Sequence, residues 1–152
     1  MTTINPTRLR SPILVLALLW LVSSIELHAA DLKLQACLVW GTNQDKVQDQ
    51  AELEPKLRDK LRNVFRWKNY FEVSRQPINL ASGGNEKVKM SDDCTIEVKH
   101  LGGNNLEVKL VGKGNSVVTK RQAITKDGSI VLAGPAKNDT AWFVVLALVG
   151  DK

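Results

Sequence analysis

Histidine, cysteine and tyrosine are scarce in this chain of 152 residues, which has two His, two Cys and one Tyr. His28 lies in the N-terminal segment discussed below, so His100 is the one imidazole of the remainder. A Ser–His–Asp triad would have to use it, yet no serine sits in a G-x-S-x-G context. His100 is in phase with Ile96 and Val98 on a predicted strand, the position of a core-edge histidine. Cys37, Cys94 and His100 are the candidate zinc ligands, but no two have structural-zinc spacing, so no metal is expected. Asp92 and Asp93 are adjacent. In a strand they would point to opposite faces, and in a turn they would bond their own backbone. "GKGN" at 112–115 lacks the third glycine of a dinucleotide fingerprint, and "GPAKNDT" at 134–140 is no phosphate loop. Both read as turns, and no cofactor is expected. These gaps argue against an enzyme, and a hydrolase is the weakest functional reading.

Long apolar runs are missing too. The longest, "ILVLALLWLV" at Ile13 to Val22, is well short of the roughly 20 residues that cross a bilayer. It follows Arg8 and Arg10 and precedes "SSIELHAA", which ends in small residues. That is the layout of a secretory signal peptide. The expectation is cleavage near Ala29 or Ala30. That would leave residues 31–152 as a single small domain, secreted or periplasmic, with no transmembrane segment. Residues 1–30 hold Arg8, Arg10 and Glu26, so the remainder carries 19 basic and 15 acidic side chains, a net of +4. So mild a charge favours loose contact with anionic surfaces without naming a partner.

In an oxidising compartment Cys37 and Cys94 suggest one disulfide. Strand alternation places Cys37 opposite the Leu34–Leu38 face, whereas Cys94 is in phase with Ile96 and Val98. A bridge therefore requires the Cys37 face to be covered as well, and two buried thiols are the alternative. "LQAC" at 34–37 also resembles a lipobox, in which Cys37 would carry lipid. Gln35 and the charges at Asp31 and Lys33 fit that pattern poorly. Asn138-Asp139-Thr140 matches the N-glycosylation acceptor pattern, which matters only in a eukaryotic secretory route.

What is present is strand pattern. "DLKLQACLVW" alternates and ends apolar on both faces. Pro55 opens a helix predicted over about 55–66, with Leu57, Leu61, Val64 and Phe65 on one stripe. "NYFEVSR" is the next strand, and "QPINLASGGNE" reads as a loop. Short strands follow. "CTIEVKHL" and "LEVKLV" flank "GGNN". "SVVTKRQAI" and "SIVLAG" flank an Asp127-Gly128 hairpin signal. In the first of these hairpins a residue-number sum of 206 opposes Lys99 to Glu107 and Glu97 to Lys109, whereas 208 opposes Lys99 to Lys109. The charges predict 206, with a three-residue turn Gly102-Gly103-Asn104. The apolar segment Ala141 to Val149 is expected as a central strand beside the first one, with Trp40 and Trp142 sharing the core.

The expected fold is thus α+β: one amphipathic helix packed on a mostly antiparallel sheet of about six to eight strands. "KLRDKLRNVFRWKNYF" at 56–71 is basic and holds half of the eight aromatics in the chain. A basic stripe with aromatics suits nucleic acid, but export removes most such partners, so none is expected. Most of these rings are needed inside a small core. Arg58, Arg62, Arg66, Trp67 and Lys68 are the candidate contact with an anionic surface, such as phospholipid headgroups or an acidic polymer. The leading functional expectation is an exported, non-catalytic binding or structural module of the bacterial cell envelope or secreted space. Its partner would be an envelope protein or an anionic surface.

Overall fold

The structure is a computed structural model that describes residues 31–45 and 51–150. The expected signal segment and its cleavage site lie outside the described residues. Among the described residues nine strands and one helix are formed: β1 (Leu32–Thr42), β2 (Ala51–Glu52), α1 (Pro55–Arg62), β3 (Asn69–Leu80), β4 (Asn85–Lys89), β5 (Cys94–Gly102), β6 (Asn105–Gly112), β7 (Asn115–Ala123), β8 (Ser129–Ala133) and β9 (Thr140–Leu148). They build two antiparallel sheets, one in the order β2-β3-β1-β9-β8 and one in the order β4-β5-β6-β7. Among the described residues no helix is long and apolar enough to cross a membrane.

This corrects the α+β expectation. The fold is mostly β, and its main core lies between two sheets. Leu34, Ala36, Leu38, Val144 and Leu146 of one sheet meet Ile96, Val98, Leu106, Val108 and Leu110 of the other. The physical reason is visible in the burial patterns. β5 and β6 bury every second residue, so their sheet needs one covering layer, and β1 and β9 are buried on both faces, so theirs needs two. The helix cannot cover a sheet by itself. It has eight residues rather than the expected span to 66, and the chain leaves it at Asn63. Leu57, Leu61, Phe65 and Trp67 cap a second, smaller cluster on the outer face, around Cys37, Val39, Tyr70 and Phe143.

Pairing follows the polar faces where they are informative. β5 and β6 take the register predicted from charge, with Lys99 opposite Glu107 and Glu97 opposite Lys109. The turn is tighter than expected: Gly102 pairs with Asn105, so Gly103 and Asn104 form a two-residue turn and Leu101 is left over as a bulge. Gly103 has φ 56°, which glycine adopts without steric cost. β9 lies between β1 and β8, with Trp40 opposite Trp142.

Two sequence expectations fail here for the same reason. The Asp127-Gly128 turn forms, with Gly128 N–H donating to Thr125 O at 3.0 Å. It does not close a hairpin, because β7 and β8 belong to different sheets and the turn carries the chain across the sandwich. Likewise 76–80 is not loop but the end of β3, with Pro77 opposite Gln35. Among the described residues β2 pairs β3 at Phe71 and Glu72, and no described strand pairs Pro77 on the side away from β1, so its missing N–H leaves no gap in the described ladder. In both cases the strand pairing, not the local signal, decides where the chain goes.

Candidate functional site

At one end of the sandwich β1 finishes, β9 begins and β6 turns into β7. The two sheets part there around a cleft of about 590 Å³. Leu38, Trp40 and Trp142 line it from the five-stranded sheet, and Cys94, Gly112 and Val117 from the four-stranded sheet. The volume is in the range of sites that hold small molecules, roughly 300–1,000 Å³.

Backbone irregularities shape the walls. Leu38 pairs with Ser74 and Val39 with Glu72, so Val73 is an extra residue in β3. Leu110 pairs with Val118 and Val111 with Ser116, so Val117 is an extra residue in β7. Such bulges turn a side chain out of the strict in–out alternation. Both valines line the cleft, and they remain 46% and 38% exposed. Trp142 is held by close approach to glycine. A Cβ on Gly134 would lie 2.3 Å from its ring, and one on Gly112 would lie 3.4 Å away. Only a bare backbone at 134 admits the indole in this position.

The rim is polar and its backbone is constrained. Lys113 (φ 49°), Asn138 (φ 52°) and Asp139 (φ 55°) are the non-glycine residues with left-handed backbone among the described residues. All three lie in the two turns that border this cleft. Lys113 belongs to the β6–β7 turn, and its N–H donates to Asp93 O at 2.8 Å. Asn138 and Asp139 form the turn closed by Lys137 and Thr140, whose hydroxyl donates to Lys137 O at 2.7 Å. A left-handed non-glycine residue costs on the order of 1–3 kcal/mol, and such residues concentrate at functional sites. Lys113, Lys137, Asp93, Ser91 and Asn115 stand around the apolar walls.

The residues singled out from sequence as an anionic-surface contact lie away from this cleft, near α1 and the outer cluster. Arg58 is half-buried beside the outer cluster. Arg62 donates from Nη2 to Lys68 O at 2.8 Å, which fixes the chain after the helix. Lys68 lies 3.5 Å from Asp45 in an exposed ion pair. Arg66 is exposed but lies beyond α1, so it does not continue a helical ridge. Trp67 packs over Gly41 and joins the outer cluster.

Cys37 and Cys94 are buried and free. Cys37 faces the outer cluster and Cys94 the inter-sheet core, so the five-stranded sheet separates them. Burial pushes the Cys37 thiol up to about 12, with the Glu72 carboxylate adding to the effect, and burial alone pushes Cys94 up to about 11. Thiols held protonated in this way are poor nucleophiles.

His100 is buried with both ring nitrogens at backbone oxygens: Nδ1 is 3.1 Å from Ala81 O and Nε2 is 2.7 Å from Gly103 O. It ties the β3–β4 turn to the β5–β6 turn and presents no nitrogen to solvent. Among the described residues no three His, Cys, Asp or Glu side chains are grouped to hold a metal.

Sequence reasoning paired Trp40 with Trp142 but missed the cleft beside them, because the bulges that open it leave no mark in composition. The available signal was the pair of short turns, "GKGN" and "KNDT", meeting at one end of the fold. No family model, no curated protein and no solved structure matches the chain.

Proposed function

We propose that this protein is an exported, non-catalytic binding module of the bacterial cell envelope or secreted space, and that it binds through the tryptophan-walled cleft. The carrying observation is that both bulges beside the cleft bring exposed valines into it, next to Trp40 and Trp142. An apolar cavity with a few polar groups at its lip is the usual form of a small-ligand site. The non-catalytic part is supported by the state of the reactive side chains. The His100 nitrogens are engaged with backbone, and both thiols are buried. A hydrolase is the reading these residues support least. Contact of Arg58, Arg62, Arg66, Trp67 and Lys68 with an anionic surface is the second reading, and Trp67's packing against the outer cluster is the observation that weighs against it.

Two measurements test the proposal. After expression in a bacterium, the processed chain is expected in the envelope or medium with its N-terminus near residue 30. A full-length cytoplasmic chain would remove the export part. For the cleft, the purified protein is titrated with the neutral apolar dye Nile red. Val73→Asp and Val117→Asp place a charge in the cleft from exposed bulge positions, so folding is little affected. Each is expected to weaken dye binding about tenfold, the cost of one charge–apolar mismatch of roughly 1.4 kcal/mol. Unchanged binding in both variants would overturn the cleft as the site.

A further inference from the structure

The cleft has two chemically distinct parts. Its walls are apolar: Leu38, Trp40, Val73, Val117 and Trp142. Its lip carries Lys113 and Lys137 from two separate turns, with Asp93 as the one carboxylate among the lining residues. Among the described residues the salt bridges are those of Lys68, Arg75, Lys87, Lys89, Lys109 and Arg121, so neither lip lysine is paired with a carboxylate. Lys113 and Asn138–Asp139 adopt left-handed backbone in the two short turns that carry these lysines.

We infer that the ligand of this cleft is an amphiphile with an anionic head group. Its apolar part lies between the Trp40–Trp142 wall of one sheet and Val117 of the other, and its head meets Lys113 and Lys137. This rests on the reading of the cleft as the binding site. Apolar walls alone would accept any hydrophobic body of suitable size, and the lysines add discrimination. An anion meeting the two exposed ammonium groups forms charge-assisted hydrogen bonds, whereas a zwitterionic or neutral head leaves part of that attraction unused. The net charge of +4 carried by residues 31–152 acts in the same direction at longer range.

The test compares two single-chain phospholipids with the same acyl chain, lysophosphatidylglycerol and lysophosphatidylcholine, both below their micelle concentrations. Each displaces bound Nile red from the purified protein. The anionic lipid is expected to bind roughly tenfold more tightly, and Lys113→Asn with Lys137→Gln is expected to abolish that preference while leaving neutral-dye binding intact. Asn suits the left-handed backbone at 113. Should the double variant not fold, the wild-type preference itself decides, since it must shrink as salt rises from low to high concentration. Equal affinities, or a preference indifferent to both salt and lysine removal, would overturn the anionic head while leaving the cleft reading intact. Failure of Nile red and of both lipids to bind would overturn the cleft reading as well. An alkyl phosphate of the same chain length separates the two sources of this chemistry: equal binding assigns the site to the anion, and weaker binding assigns it to the glycerol headgroup.

Discussion

At the scale of single residues, two kinds of position carry the structure of the cleft and its surroundings. Gly134 is required because the Trp142 ring occupies the space of a side chain. Gly134→Ala is expected to push the indole aside and to destabilise the fold by about 1–3 kcal/mol, as overpacking does. Urea unfolding measures this, and a variant as stable as wild type would show that the ring has free room. The ionisable residues act through pH. The ordinary thiol value is 9.0, and burial holds Cys37 and Cys94 well above it. Tyr70 is also raised, chiefly by burial. The unfolded chain releases these protons first, so their contribution to stability is complete below about pH 9 and declines as the pH rises toward 12. An alkaline loss of stability is therefore expected, and Cys37→Ser with Cys94→Ala should reduce its steepness. In the native protein at neutral pH neither thiol should react with iodoacetamide, while both should react in denaturant. Glu72 has the opposite sign. Its hydrogen bonds with Arg75, at 2.9 and 2.6 Å, hold its carboxyl below the ordinary 4.5. That stability is present above the usual carboxylate range and is lost as pH falls through the lowered value. Glu72→Gln should cost about 1 kcal/mol at neutral pH, and the difference from wild type should vanish in acid.

At the scale of elements, the residues show what can be read from a sequence and what cannot. The β5–β6 register was legible because both strands keep polar residues on one face, so charge pairs at Glu97–Lys109 and Lys99–Glu107 decide between two alignments. Glu97→Lys is expected to cost roughly 0.5–1 kcal/mol by facing Lys87 and Lys109, and Lys109→Glu should recover part of it in the double variant. Additive losses in thermal unfolding would remove the charge pair as the reason for this register. The end of β3 was not legible, since Pro77 signals a break, and it is tolerated because among the described residues no strand pairs it on the side away from β1. The Asp127-Gly128 turn was legible but its consequence was not. A turn signal says that the chain reverses, not which strand receives it, and here β7 and β8 enter different sheets. The bulges at Val73, Leu101 and Val117 were invisible because an extra residue looks like any other until its neighbours are paired.

At the scale of the whole molecule, the strands were readable while the layering was not. Alternation identifies a strand with one covered face, but it does not say whether a helix or a second sheet covers it. The helix stripe at Leu57 and Leu61 suggested the helix as the cover, whereas the helix caps only the small outer cluster and sheet covers sheet. The candidate site follows from that layering, for a sandwich opens at its ends, and the basic segment near α1 lies at the outer cluster instead. The most direct test of the cleft as the binding site is an NMR titration with octyl glucoside below its micelle concentration, read at the indole N–H signals. Those of Trp40 and Trp142 are expected to shift together with the Val73 and Val117 amides, while that of Trp67 stays in place. Shifts at Trp67 and the amides of Arg58, Arg62 and Arg66, with Trp40 and Trp142 unmoved, would contradict it.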